Sequence, residues 1–192
     1  MRAEPNPDSP PATPDAATKL HQLFVQAAKA RSERRLADAE RDWLQAVSLC
    51  REAGTSAQLA AALTAVGQIE RDLHRLDSAL FRYQEAAALY RAGDDPLKLA
   101  HTVRHVADIA REMKRPDVSA PAYDQSLAIY RSHPNTPPLD LANAIRGFAI
   151  LQSDAGDLDR ARSLWTEARD LYAAVGVEAG VAECDRRLAD VA

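Results

Sequence analysis

Both tryptophans and all five tyrosines of the chain fall into two columns that recur every 40 to 42 residues. The first column reads Trp43, Tyr83, Tyr123 and Trp165. The second reads Tyr90, Tyr130 and Tyr172, with Cys50 in its first row. Within each row the two positions stand seven apart, two turns along one face of a helix. A chain that repeats at this period makes one supersecondary unit several times and buries its core by stacking the copies. The aromatic columns therefore limit the fold to a repeat architecture before any other feature is considered.

Fixing the first column aligns the rest of each row. Four residues before it stand Ala39, Ala79, Ser119 and Ala161, and three after it Ala46, Ala86, Ser126 and Ala168. Leu49, Leu89, Ile129 and Leu171 precede the second column. Together these give the apolar stripe of an amphipathic helix in which rings alternate with small residues, a pattern suited to close helix contact. Sixteen residues before the first column lies another small column, Ala27, Gly67, Ala107 and Ala149, with Leu23, Leu63, Val103 and Ile145 one turn earlier. Each row is thus a helical hairpin, with Leu36, Leu76, Pro116 and Leu158 at its corner. The pattern predicts first helices near 19–34, 57–73, 97–114 and 139–155, and second helices near 37–53, 77–92, 117–132 and 158–174.

Turn chemistry supports these limits. Gly54-Thr55-Ser56, Gly93-Asp94-Asp95-Pro96, the segment from His133 to Pro138, and Gly176 separate the rows. Arg34-Arg35, His74-Arg75 and Lys114-Arg115 close first helices at the negative end of the dipole. Asp77, Asp117 and Asp157 are expected to cap the second helices, which would leave Pro121 in a first turn where no helical N–H bond is lost. The tail from Val181 to Ala192 is amphipathic again and is expected to cap the last hairpin over 178–191.

Composition narrows the function classes. A net charge of −4 over 192 residues disfavours a general nucleic-acid binder, which needs a cationic face. No apolar run approaches the roughly 20 residues of a membrane span, and the Pro-rich segment 1–18 lacks the apolar core of a secretory signal and reads as disordered. Cytoplasm is the expected location. Cys50 and Cys184 lie 134 residues apart without a partner motif, so Cys50 reads as a small buried hydrophobe and no disulfide or metal is expected. No nucleophile with a base, paired acids or phosphate loop appears, so neither an enzyme nor a cofactor is expected.

The rows resemble tetratricopeptide repeats (TPR). The fourth carries the pattern most fully, with Ala149, Gly156, Leu158, Ala161, Trp165 and Ala168, and the second follows with Gly67, Leu76, Ala79, Tyr83 and Ala86. The period exceeds the family's usual 34 and is similar to the longer-helix variety seen in kinesin light chains and bacterial peptide-sensing regulators. Arg34, His74 and Lys114 stand where the family places an inter-helix Gly, and Pro116 where it places an apolar corner residue. The resemblance implies an all-α, right-handed superhelical solenoid over residues 19–192, made of about four hairpins (19–54, 57–94, 97–134, 139–176) and a capping helix.

It also implies a concave wall lined by the first helices, and a non-catalytic module that binds an extended peptide or a partner helix there. Wall-facing positions hold Phe24, Ala28 and Arg31, then Thr64, Gln68 and Arg71. The third row gives Arg104, Asp108 and Arg111, and the fourth Arg146, Ile150 and Ser153. Arg31, Arg71 and Arg111 repeat at 40 and 40, with Arg104 and Arg146 beside them. Guanidinium forks in such a column suit the carboxylates of an acidic partner, while Phe24 and Gln68 suit its other side chains. Asp72, Glu112 and Asp154 offer the alternative that the arginines form only surface ion pairs. His101 and His105 are four apart without a third ligand, so His101 reads as a groove residue rather than a metal ligand. A second class of function, self-assembly as a homo-oligomer through the solenoid ends or convex face, also fits a stack with exposed ends.

Overall fold

The computed structural model of the chain describes residues 14–190. Among them it places nine α-helices and no strand, the all-α TPR-like architecture that the aromatic columns dictate. Residues 1–13, the greater part of the Pro-rich lead, lie outside the described residues. No helix among the described residues is long and apolar enough to cross a membrane.

The helices fall into two compact units that divide between Pro96 and Leu97. The first holds two hairpins, α1 (Pro14–Ser32) with α2 (Leu36–Ala53), and α3 (Ser56–Asp72) with α4 (Leu76–Ala92). The second holds α5 (Pro96–Glu112) with α6 (Pro116–Ser132), α7 (Pro138–Ala155) with α8 (Leu158–Ala174), and the single helix α9 (Glu178–Asp190). Most boundaries match the sequence pattern to within one or two residues. The exception is α1, which starts five residues early at Pro14; Pro is accepted in a first turn, and Asp15 there complements the helix dipole.

The aromatic columns form the core. Trp43, Tyr83, Tyr123, Trp165, Tyr90, Tyr130 and Tyr172 are all buried, as is Cys50 in the Tyr column. The small columns explain how the rings fit. A Cβ added at Gly67 would stand 3.0 Å from the Tyr83 ring, and one at Gly180 only 2.6 Å from the Tyr172 ring. Where Ser126 replaces Ala, the hydroxyl finds a bond, donating to the Ala100 carbonyl at 2.9 Å.

The corners depart from expectation in an informative way. The second helices begin at Leu36, Leu76, Pro116 and Leu158, so Arg35, Arg75 and Arg115 occupy the cap positions without a side-chain cap bond. Asp77 and Asp117 therefore lie one residue inside the first turn; only Asp157 caps, accepting from the Arg160 amide at 3.2 Å. The same shift puts Pro121 beyond the first turn of α6, where the helix continues without that residue's N–H bond. The cause is the tight corner. Arg34, His74 and Lys114 adopt left-handed φ values of 60°, 58° and 56°, as Gly156 does at 78°. The next amide in each case closes a bond back to the first helix, such as Arg75 to Glu70 O at 2.8 Å.

Salt bridges also tie second helices within each unit. Arg51 meets Glu85 at 2.8 Å and Arg75 meets Glu40 at 2.5 Å. Arg131 meets Glu167 at 2.8 Å and Arg160 meets Asp124 at 3.2 Å.

Two stability outcomes follow from this packing. Tyr83→Ala removes a fully buried ring and is expected to cost about 3–5 kcal/mol. His74→Gly relieves a left-handed non-glycine residue and is expected to gain up to about 1 kcal/mol net of the added chain entropy. Urea unfolding of the two variants beside the parent checks both signs.

Candidate functional site

Several of the first-helix residues singled out by the sequence are held by the rings of the second helices. In the first unit, Tyr83 donates its hydroxyl to Gln68 Oε1 at 3.3 Å, and Gln68 in turn donates to Asp72 at 3.1 Å. Asp72 also accepts from Arg31 on the preceding first helix, at 3.2 Å. Phe24 is half-buried and packs its ring 4.7 Å from that of Trp43, tilted by 58°. Arg71 is half-buried on α3. Arg31, Gln68 and the ring of row two thus belong to one hydrogen-bonded chain, with Phe24 beside the ring of row one.

The second unit is more elaborate. Tyr123 donates to Asp108 Oδ1 at 2.6 Å, and Arg104 donates to Asp108 Oδ2 at 2.7 Å. Arg111 Nε approaches the Tyr123 hydroxyl at 3.4 Å. Burial, reinforced by the Asp108 charge, pushes the Tyr123 phenol far above its ordinary range, so it acts only as a neutral donor. Arg146 on α7 holds Glu183 of α9 with a two-point fork, 2.7 Å at both contacts. That bond keeps the Glu183 carboxyl below the usual glutamate range. The sequence raised two fates for these arginines, recognition or ion pairing. The structure places Arg31, Arg104 and Arg146 each against an internal carboxylate, and Arg111 against a phenol.

His101 lies at the edge of this network. Arg104 Nη2 stands 2.8 Å from His105 Nε2, and His101 Nε2 stands 3.2 Å from the same atom. A guanidinium can only donate, so His105 Nε2 accepts and His101 Nε2 carries the proton. His101 Nδ1 is then the basic nitrogen, 3.9 Å from Asp140 on α7. Desolvation by burial, followed by the Arg104 charge, lowers the His101 pKa. No group of three or more His, Cys, Asp or Glu among the described residues could hold a metal ion.

Two features carried no sequence signal of their own. Gly147 is an ordinary helix residue by pattern, yet a Cβ there would fall 2.6 Å from the Tyr123 hydroxyl and 2.9 Å from Asp108 Oδ1. Only a glycine lets that bond form. Phe81 is 60% exposed on the outer side of α4, beneath the Arg82 guanidinium at 5.8 Å. Its column otherwise holds Arg41, Pro121 and Ser163, and that break in the column was the available clue.

A family model described as SNAP, soluble NSF attachment protein, matches residues 13–133. Among solved structures, BtubC from P. vanneervenii is similar over 92% of this chain and 80% of its own, with a TM-score of 0.70 and 16% identity. A Rap protein complexed with competence and sporulation factor matches 90% of this chain with a TM-score of 0.59 and 17% identity. This chain spans only 52% of that protein. A kinesin light chain of nearly identical TPR-like repeats from Podosopora anserina covers 90% of this chain and 94% of its own, with a TM-score of 0.57 and 12% identity. No curated protein matches the sequence. These structures share the TPR-like helical-repeat fold.

The histidine shift sets a pH dependence. The folded pKa lies below the ordinary value of about 6.5, so the unfolded chain takes up the proton first. The contribution of neutral His101 to stability is therefore present above pH about 6.5 and lost as pH falls below it. Urea midpoints at pH 8 and pH 5.5 are expected to differ less in His101→Gln than in the parent.

Proposed function

The chain belongs to the soluble NSF attachment protein family, and we propose that it is a non-catalytic protein–protein interaction module whose first helices form the binding face. The TPR-like fold is a scaffold that generally serves such contacts, and the structures it resembles are repeat proteins of the same build. The partner segment would lie as an extended peptide or a helix along the first helices of each unit. In the first unit the contacts would come from Phe24, Arg31, Gln68 and Arg71. In the second they would come from His101, Arg104, Arg111 and Arg146.

One observation carries this reading. The rings that hold the hairpins together are buried, while their polar ends fix half-buried Gln68 and buried Asp108 on the first helices. The wall side chains are thus oriented before any partner arrives, which lowers the entropy lost on binding. Charge points to an acidic segment. Arg31 and Arg146 already grip carboxylates, so a partner carboxylate could exchange for Asp72 or Glu183 with little change in net charge. The Rap protein complexed with competence and sporulation factor offers a precedent for a protein of this fold holding a separate factor.

Reversing Arg71 and Arg111 to Glu tests the assignment. Capture of an acidic partner segment by the double variant is expected to fall at least about ten-fold, one fork lost being worth over about 1.4 kcal/mol. Circular dichroism should stay helical. Unchanged capture would remove the first-helix face as the binding surface.

A further inference from the structure

We infer that α9 is a displaceable placeholder: its Glu183 fills the Arg146 fork that an acidic partner segment would take, so partner binding lifts α9 from the second unit. The inference rests on the reading above that the first-helix face accepts acidic segments, and it concerns how access to that face is controlled.

The contact has the form of a ligand contact. Arg146 Nε and Nη2 each reach one oxygen of Glu183 at 2.7 Å, the planar two-point grip by which guanidinium recognises a carboxylate. Two other first-helix arginines meet their carboxylates through a single nitrogen: Arg31 touches Asp72 at 3.2 Å and Arg104 touches Asp108 at 2.7 Å. Glu183 therefore presents to α7 the group that an incoming acidic chain would present. It does so from the helix that follows the last complete hairpin.

The rest of α9 is held lightly. Of its 13 residues only Cys184 is buried, whereas α7 buries eight and α8 five. Its other ties are a guanidinium 5.9 Å over the Trp165 ring from Arg187, and an Arg169–Asp185 pair at 3.8 Å. Gly180 lies close against the Tyr172 ring. Since apolar burial sets how firmly an element is fixed, α9 is the element of the second unit that opens at least cost. A helix serving only as a permanent cap would be anchored by its apolar face. This one adds exchangeable charge to a small apolar contact at Cys184, Val181 and Leu188. Displacement would trade one carboxylate for another at Arg146 and would give up the burial around Cys184 together with the Gly180 contact on the Tyr172 ring.

Cys184 supplies the readout. It is fully buried, and burial pushes its thiol up to about 11, so it reacts with a maleimide only when α9 lifts. Cys50, equally shielded in α2, serves as the reference thiol within the same chain. The experiment uses the full chain with a fluorescein-labelled hexaglutamate peptide. Anisotropy reads affinity, and N-ethylmaleimide labelling resolved by peptide mass reads each cysteine.

The peptide is expected to speed Cys184 labelling several-fold while Cys50 labelling stays unchanged. Glu183→Ala, which keeps a good helix former on α9, is expected to bind the peptide about ten-fold tighter. Adding Arg146→Ala to that variant should abolish the gain, which shows that it passes through the fork and not through general loosening. If Glu183→Ala binds no tighter than the parent, or the bound peptide leaves Cys184 as slow as before, the placeholder is wrong while the acidic reading stands. If neither the parent nor any variant binds the peptide, both fall together.

Discussion

The contact on which the structure depends is a ring pressed against a small residue. Tyr83 fills the space left by Gly67 on α3 and Tyr123 the space left by Gly147 on α7, where an added Cβ would stand 3.0 Å and 2.6 Å away. Burial of these rings supplies the apolar area that orders each hairpin. It also settles what the other face can present. Tyr83, Tyr123 and Trp165 extend their polar atoms through the hairpin to Gln68, Asp108 and Ser153, the last as an indole donor at 3.1 Å. The first-helix face is therefore coupled to the core by hydrogen bonds, and these side chains inherit the rigidity of the rings.

Much of this was legible in the residues. Helix limits emerged from the aromatic columns because a repeated hairpin gives four aligned copies of each boundary. Where the reading slipped, the cause was local. Asp77 and Asp117 look like caps, yet in every corner the residue after the left-handed one is the cap, and at that place rows two and three hold Arg75 and Arg115. In the fourth row the corner has Gly156 at the left-handed position, and there Asp157 does cap.

The wall was harder to read, since its contacts join residues from different hairpins. Asp72 follows Arg71 in sequence, but its carboxylate accepts from Arg31 on α1. Arg146 has no acidic neighbour at helical spacing that explains its pairing; its partner Glu183 is 37 residues further on. Gly147 carried no pattern signal because its role is defined by the Tyr123–Asp108 bond it leaves room for. Periodicity encodes the stacking of like elements. It does not encode which polar atoms meet once they stack.

The salt bridges between second helices have a consequence for assembly of the chain. Read from N- to C-terminus, α2 offers Glu40 then Arg51, and α4 offers Arg75 then Glu85. In the second unit α6 offers Asp124 then Arg131, and α8 offers Arg160 then Glu167. Within each unit the order of sign is opposite on the two partners. Hairpins with nearly interchangeable cores can stack on the wrong neighbour during folding or across two chains. Two copies of α2, or two of α6, would bring like charges together, whereas the native neighbours match at both ends. Each pair adds little to stability by itself, but the alternating order of signs disfavours a hairpin stacking on a copy of itself.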